Sequence, residues 1–214
     1  MKNRLKWAQK HKNWTLKQWN TVIWSDESRF QVCVGAQGNR VISAKNEKFN
    51  KDCLQRSVKF PASLMVWGCM SGEGAGLLHF VNGTINTDTY KNILEEKLLP
   101  AIPTLQSPEG EFIFQQDRAS CHTAKAIKSW LAAHNIPQLV DWPSNSPDLS
   151  PIETIWCKMK KNLKKHPATT INDLKIRLQE IWNNISPEEC KILVATMPCR
   201  IQAVIKQKGG ATQW

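Results

Sequence analysis

The sequence predicts a mixed α/β domain in which a central sheet is flanked by helices. Short apolar runs with strand-like alternation occupy the first half, around Val22-Ile23-Trp24 and Leu64-Met65-Val66-Trp67. Further on, strand-like runs at Phe112-Ile113-Phe114 and Gln138-Leu139-Val140 are interleaved with segments of helical period. The length, 214 residues, fits one domain with a sizeable core, and no repeat, low-complexity segment or second domain stands out.

The elements follow in order. Residues 1–20 read as short helical pieces, with Thr15 capping Leu16 to Trp19. Residues 21–34 alternate around Val22, Trp24, Phe30 and Val32, a strand interrupted near Asp26. Val41-Ile42 and Ser63 to Gly68 are the next strands, and Gly72, Gly74 and Gly76 mark a turn before Leu77 to Val81. Thr87 or Asp88 caps a helix carrying Ile93, Leu94 and Leu98, which is expected to end near Pro100 and Pro103. A strand at 112–116, a helix at 123–134 and a short strand at 138–140 come next. Helices at 151–165, 171–184 and 187–206, the last in one or two pieces, complete the chain.

Lysine and arginine number 29 against 18 acidic residues, a net charge of +11 that suits a polyanionic partner, nucleic acid ahead of a membrane surface. Seven cysteines, an odd number without C-x-x-C spacing, indicate neither a zinc ribbon nor a complete disulfide framework and fit a reducing compartment. Cys33 and Cys69 lie in strand-like runs, where a thiol packs as a small core residue. The start of the chain has no apolar signal region and no run spans a bilayer, so a soluble, non-secreted protein is expected. Ten tryptophans beside one tyrosine are assigned to core packing.

Three acidic residues stand out. Asp117 follows an apolar strand and precedes a helix, where a side chain faces the crevice beyond a strand's carboxyl end, although an Asp there also serves as a local cap. Glu153 lies in Ser150-Pro151-Ile152-Glu153, which reads as a capping box. Yet it also stands off the apolar stripe of Ile152, Ile155, Trp156, Met159 and Leu163, near Lys160, Lys161 and Lys164. Asp26 has a rival in Glu27, which points to the opposite face of a continuing strand, and Asp26 also reads as an ordinary strand terminator. His122 is expected no closer to the chemistry than a supporting position. Lys158, Lys160, Lys161, Lys164 and Lys165 form a basic helix surface suited to phosphate contact, and weakly to a nuclear import signal.

At these positions the chain resembles the catalytic domain of mariner-type DDE transposases, the Tc/mariner superfamily. The segments that carry the likeness are Val22-Ile23-Trp24-Ser25-Asp26-Glu27-Ser28, Met65-Val66-Trp67-Gly68-Cys69, Phe114-Gln115-Gln116-Asp117, and Asp141-Trp142-Pro143-Ser144 through Trp156. Trp14-Thr15 and Val204-Ile205 through Lys208-Gly209-Gly210 extend it to nearly the whole chain. The resemblance implies an RNase H-like mixed sheet flanked by helices. Residues 1–214 would form one catalytic domain: a helical lead-in at 1–20, the RNase H-like core at 21–166 and C-terminal helices at 167–214. It selects Asp26 over Glu27 and makes Asp26, Asp117 and Glu153 the catalytic, metal-binding triad. Two divalent ions, Mg²⁺ or Mn²⁺, would serve hydrolysis of a strand at the transposon end and attack of the freed 3′-hydroxyl on target DNA. Double-stranded DNA is the implied partner and the nucleus the implied location; a homodimer is compatible and a membrane role is not.

Three departures from the family pattern are visible. Asp117 is followed by Arg118-Ala119-Ser120 where the family usually has Asn and Pro; Arg118 is expected to weaken cation binding or to pair with Asp117. Between Asp117 and Glu153 lie 35 residues, one more than the commonest family spacing, an addition placed near Pro137-Gln138. The family's N-terminal helix-turn-helix region is expected to be missing, leaving a catalytic core without its targeting module. These departures support an alternative, a transposase-derived DNA-binding protein that no longer catalyses. A nuclease related by fold alone is a third, weaker reading.

Overall fold

The computed structural model describes residues 1–32 and 62–214. The strand expected at Val41-Ile42 and the position of Cys33 lie outside the described residues.

The sheet is built on one long strand, β1 (Val22–Gln31), paired antiparallel with β2 (Ser63–Ser71) and parallel with β5 (Ile113–Gln115). Two short strands, β3 (Gly74–Ala75) and β4 (His79–Val81), both pair antiparallel with β2, giving the mixed order β3-β2-β1-β5 with β4 beside β2. The expected strand at 138–140 is reduced to a single bridge, Gln138 beside Phe114, held by the Leu139 N–H on the Phe114 carbonyl.

Strand β1 does not break at Asp26. Pairing with β2 continues residue by residue from Trp24 opposite Met70 to Gln31 opposite Ser63, so the backbone ladder on that side stays satisfied. On its other side β1 is paired only as far as Trp24, opposite Gln115. Asp26 therefore lies just past the carboxyl end of β5, where β1 has no partner on that side among the described residues.

Alternation along the strands separates two apolar layers. Val22, Trp24, Phe30, Val66 and Met70 join one cluster, whereas Ile23, Trp67 and Cys69 join the other. The first layer is covered by α1 (Lys2–His11), α2 (Leu16–Asn20), α7 (Pro151–Lys165), α8 (Ile171–Asn183), α9 (Pro187–Ala195) and α10 (Met197–Lys206). The second is covered by α3 (Thr87–Ile93), α4 (Leu99–Leu105) and α6 (Lys125–Ala133). Eight tryptophans, from Trp7 to Trp182, are buried in these layers, as core packing requires.

Local chemistry explains most boundaries. Thr15 and Gln18 form a complete capping box at α2. The cap of α3 is Asn86, one residue before the expected Thr87, because its side chain reaches the Thr89 N–H at 2.8 Å. The helix does not stop at Pro100. A π turn at Leu94–Leu98 shifts the hydrogen-bond register, and Pro100 falls in the first turn of α4, where its missing N–H costs little. The single helix expected at 123–134 is instead a short turn, α5 (Ser120–Thr123), followed by α6. Both pieces of the last helix form as α9 and α10.

Arg4, on the buried side of α1, fastens the chain's two ends to the loop before α7. Its guanidinium donates to Asp148 Oδ1 and Oδ2 at 2.8 and 2.7 Å and to the carbonyls of Gly209 and Gly210 at 3.1 Å. Thr212 adds its N–H and hydroxyl to Asp148 Oδ2. Burial raises the Asp148 pKa, but Arg4 and Thr212 outweigh it and hold the carboxyl below its usual range. Removing one partner of a buried pair strands the other, so Arg4→Met should cost about 3–5 kcal/mol at neutral pH by urea unfolding. Because the folded carboxyl is the stronger acid, this contribution is fully present above about pH 4 and lost as pH falls through the depressed value. A difference between wild type and variant that stayed constant down to pH 2 would contradict the assignment.

Candidate active site

The pleat of β1 sends Asp26 and Glu27 to opposite layers. Asp26 lies opposite Gly68 and faces α7; Glu27 lies opposite Trp67 and faces α3 and α5. Above Gly68 the indoles of Trp156 and Trp182 stack with centroids 5.3 Å apart. A Cβ at position 68 would stand 2.8 and 2.9 Å from their rings, so only glycine lets them lie against the strand. From there Trp156 Nε1 donates to Asp26 Oδ2 at 3.0 Å.

Glu153 reaches the same carboxyl. The capping box expected at Ser150 is not made: Ser150 gives no side-chain cap, and its hydroxyl has no partner among the described residues. The Glu153 side chain instead lies near Asp26, close enough for each carboxyl to shift the other. Burial, then the charges of Glu153 and Glu27, push the Asp26 pKa up to about 8, against the smaller opposing pull of a backbone N–H and the Trp156 indole. Burial also raises Glu153, partly offset by Lys160 and by Asp26. Both carboxyls are therefore harder to ionise than usual, Asp26 above all.

Asp117 lies just beyond β5, half-exposed, on the Glu27 side of the sheet. Its Oδ1 accepts from His122 Nδ1 at 2.6 Å and from the Ala119 N–H at 2.8 Å. Burial raises its pKa, but these donors prevail and hold it below the usual carboxylate value. The His122 ring is buried, stacks on Tyr90 at 3.9 Å, and places Nε2 at 3.3 Å from Glu27 Oε1. That second contact is an ion pair without hydrogen-bond alignment, since Glu27 Oε1 has no donor among the described residues. Burial lowers the His122 pKa, yet the Asp117 and Glu27 carboxylates overcome it and raise the ring to about 10. His122 is thus a cation at neutral pH.

Two pairs therefore replace one triad: Asp26 with Glu153, and Asp117 with His122. Among the described residues no three His, Cys, Asp or Glu side chains are arranged to hold a metal ion. The donor set nonetheless suits a hard cation. Asp26 and Glu153 are carboxyls near enough to shift one another's pKa, both held above the usual range at a cost in ionisation, with α7 fixed on Asp26 through Trp156, and a cation beside them would remove that cost.

A family profile described as "DDE superfamily endonuclease" matches residues 21–175. The chain belongs to that superfamily. It is 33% identical over 213 residues to the Tc1 transposase of Caenorhabditis elegans and 34% identical over 214 residues to the Tcb2 transposase of Caenorhabditis briggsae, spanning 99% of this chain and 77% of each relative. The catalytic domain of Mos1 transposase, solved with raltegravir and Mg, shares the fold at a TM-score of 0.77 with 18% identity, covering 99% of this chain and 96% of that one. The Mos1 transposase paired-end complex with the left transposon end gives 0.81 at 19% identity, with 99% of this chain covering 63% of the Mos1 chain. The mixed sheet flanked by helices is the RNase H-like architecture of these DDE catalytic domains.

In this DDE chain the remaining sequence candidates separate clearly. Lys160 and Lys164, seven and eleven residues beyond Glu153 on α7, lie on its helical face. Lys158 is held at 2.7 Å by Glu189 of α9, on another side of the helix. Lys161 and Lys165 are exposed. Arg118 does not pair with Asp117; it is exposed, forms no ion pair among the described residues, and lines a cleft beside α1. Sequence reasoning missed the Trp156 contact to Asp26, although a helix places residues three apart on one side and Trp156 follows Glu153 by three. It also missed Glu27 as a partner of His122. Replacing Trp156 by Phe should raise the Asp26 pKa further above about 8, seen as a carboxylic C=O stretch persisting to higher pH in infrared titration. An unchanged titration would refute the contact.

Proposed function

We propose that this chain is the catalytic domain of a Tc1/mariner-type transposase, which cleaves double-stranded DNA at transposon ends and joins the freed end to target DNA. The buried Asp26–Glu153 carboxyl pair carries this reading. A protein that only binds DNA has no use for two acids pressed together on one side of a sheet, whereas a cation site gains from them. Arg118, which could have disabled the site, stands outside the acidic pairs.

Asp26, Asp117 and Glu153 are the residues we assign to hold Mg²⁺ or Mn²⁺, the metals with which the Mos1 catalytic domain was solved. Two ions are our reading because a pair can stabilise both the attacking and the leaving oxygen. When bound, such ions polarise the scissile phosphate and lower the pKa of an attacking oxygen. The protein's part is to give up the Asp26 proton and to bring Asp117 over from His122. His122 holds Asp117 charged and steady until then, because its imidazolium is fixed by Tyr90 stacking and the two carboxylates. Trp156 orients Asp26 from below. Lys160, Lys161, Lys164 and Lys165 extend from Glu153 as phosphate contacts, with Lys158 occupied by Glu189.

We further propose that residues 1–214 act as one catalytic domain, its 21–166 core braced by the 1–20 lead-in and the 167–214 helices. Among the described residues no helix is long and apolar enough to cross a membrane. We assign the protein to the nucleus, where its DNA substrate would lie, and a homodimer would bring two sites to a pair of ends.

Metal binding should show as stabilisation. At Mn²⁺ a hundredfold above its dissociation constant, about 2.7 kcal/mol is gained, a rise in Tm on the order of 5–10 °C, and Glu153→Gln should abolish it. On DNA carrying transposon-end sequence, Asp26→Asn, Asp117→Asn and Glu153→Gln should each lower Mn²⁺-dependent cleavage at least about a hundredfold while leaving binding in chelator intact. Cleavage that survived these changes, or that proceeded in chelator, would defeat the proposal.

A further inference from the structure

Beside the acidic pairs lies a cleft of about 550 Å³ between α1 and the loops carrying Arg118 and Ser144. Its α1 wall is a stripe of Lys2, Lys6 and Lys10, spaced four residues apart on one helical face while Arg4, Trp7, Ala8 and His11 turn inward. Its opposite wall supplies Arg118. Lys2, Lys6 and Arg118 are exposed and make no ion pair among the described residues. Lys10 meets Asp141 at 3.5 Å, with both side chains more than half exposed, a surface pair that opens at little cost. Four cations and one weakly engaged carboxylate leave the cleft strongly positive; Arg4, also on its lining, is already taken by Asp148.

The cleft is placed along the candidate site. Its Arg118 is the residue next to Asp117. Arg4 and Ser144, on the same lining, also line a second cavity of about 800 Å³, whose wall includes Glu153. A chain of phosphates lying in the cleft would therefore pass the neighbour of Asp117 and adjoin the cavity that Glu153 lines. Each step of the lysine stripe rises about 6 Å, close to two nucleotides of a DNA strand at about 3.4 Å each.

Resting on the DNA-processing reading above, we infer that this cleft seats the backbone of a DNA strand next to the scissile phosphate, with Lys2, Lys6, Lys10 and Arg118 as its phosphate contacts. Arg118 then positions substrate and does not poison the metal site. The phosphate track on α7 is separate, reached from Glu153 along Lys160 and Lys164.

The test is fluorescence anisotropy of the full chain with a short labelled duplex in chelator, across a salt series. The cleft variant is Lys2→Glu with Lys6→Glu and Arg118→Glu; a control of equal charge change is Lys128→Glu with Lys191→Glu and Lys206→Glu, all exposed elsewhere. The milder Lys2→Gln, Lys6→Gln, Arg118→Gln set guards against misfolding of the reversed-charge protein. The inference predicts that the cleft variant binds at least about tenfold more weakly than the control, with the log–log salt slope reduced by about 2–3, close to 0.9 per phosphate lost. The neutral set should fall in the same direction. Equal losses in cleft and control variants, or no loss in either cleft variant, would overturn the cleft while leaving DNA processing intact. Failure of the wild-type chain to bind DNA at all would overturn both.

Discussion

The pleat of β1 is the constraint on which the site depends. Successive side chains of a strand must leave it on opposite faces, so adjacent acids at 26 and 27 cannot share one environment. Asp26 goes to the layer of α7, where it meets Glu153 and Trp156; Glu27 goes to the layer of α3 and α5, where it meets His122. The sheet is only half-paired at this point, with β2 continuing past Asp26 and β5 stopping short of it. That asymmetry leaves both Asp26 and Asp117 just past the end of β5.

The energetic consequence is a site held in a charged but unassembled form. Burial and like charge make Asp26 hard to ionise, whereas His122 favours the charged form of Asp117. Only the first arrangement carries a cost that a divalent cation would relieve; the second is a favourable ion pair from which a cation would have to draw Asp117. Gly68 and the stacked Trp156–Trp182 pair form the floor, and their tight fit leaves little room for Asp26 to move. Asp117, by contrast, is half-exposed and lies in a loop, held by His122 and the Ala119 N–H.

Much of this was legible in the sequence where a residue's environment follows from periodicity. Alternation at Val22, Trp24 and Val66 against Ile23 and Trp67 announced a sheet with two covered faces, and the α7 stripe from Ile152 to Leu163 was read correctly. Local signals misled where a tertiary partner outbid them. Ser150 and Glu153 have the spacing of a capping box, but Asp26, 127 residues away in sequence, claims the carboxylate. Asp26 resembles a strand terminator until β2 is seen to carry the ladder through it. Pro100 looks like a helix stop because a π turn cannot be read from spacing. The direction of Arg118 was likewise hidden, since its cleft is assembled from α1, over a hundred residues earlier.

We propose that Asp26, Asp117 and Glu153 become one cation site when Asp117 leaves His122. Crystals of the chain soaked in Mn²⁺ and measured near the manganese absorption edge test this directly. The account predicts an anomalous peak bounded by carboxylate oxygens of all three residues, with the Asp117–His122 bond broken. A fully occupied peak that leaves Asp117 on His122, or that lies away from Asp26 and Glu153, would contradict it.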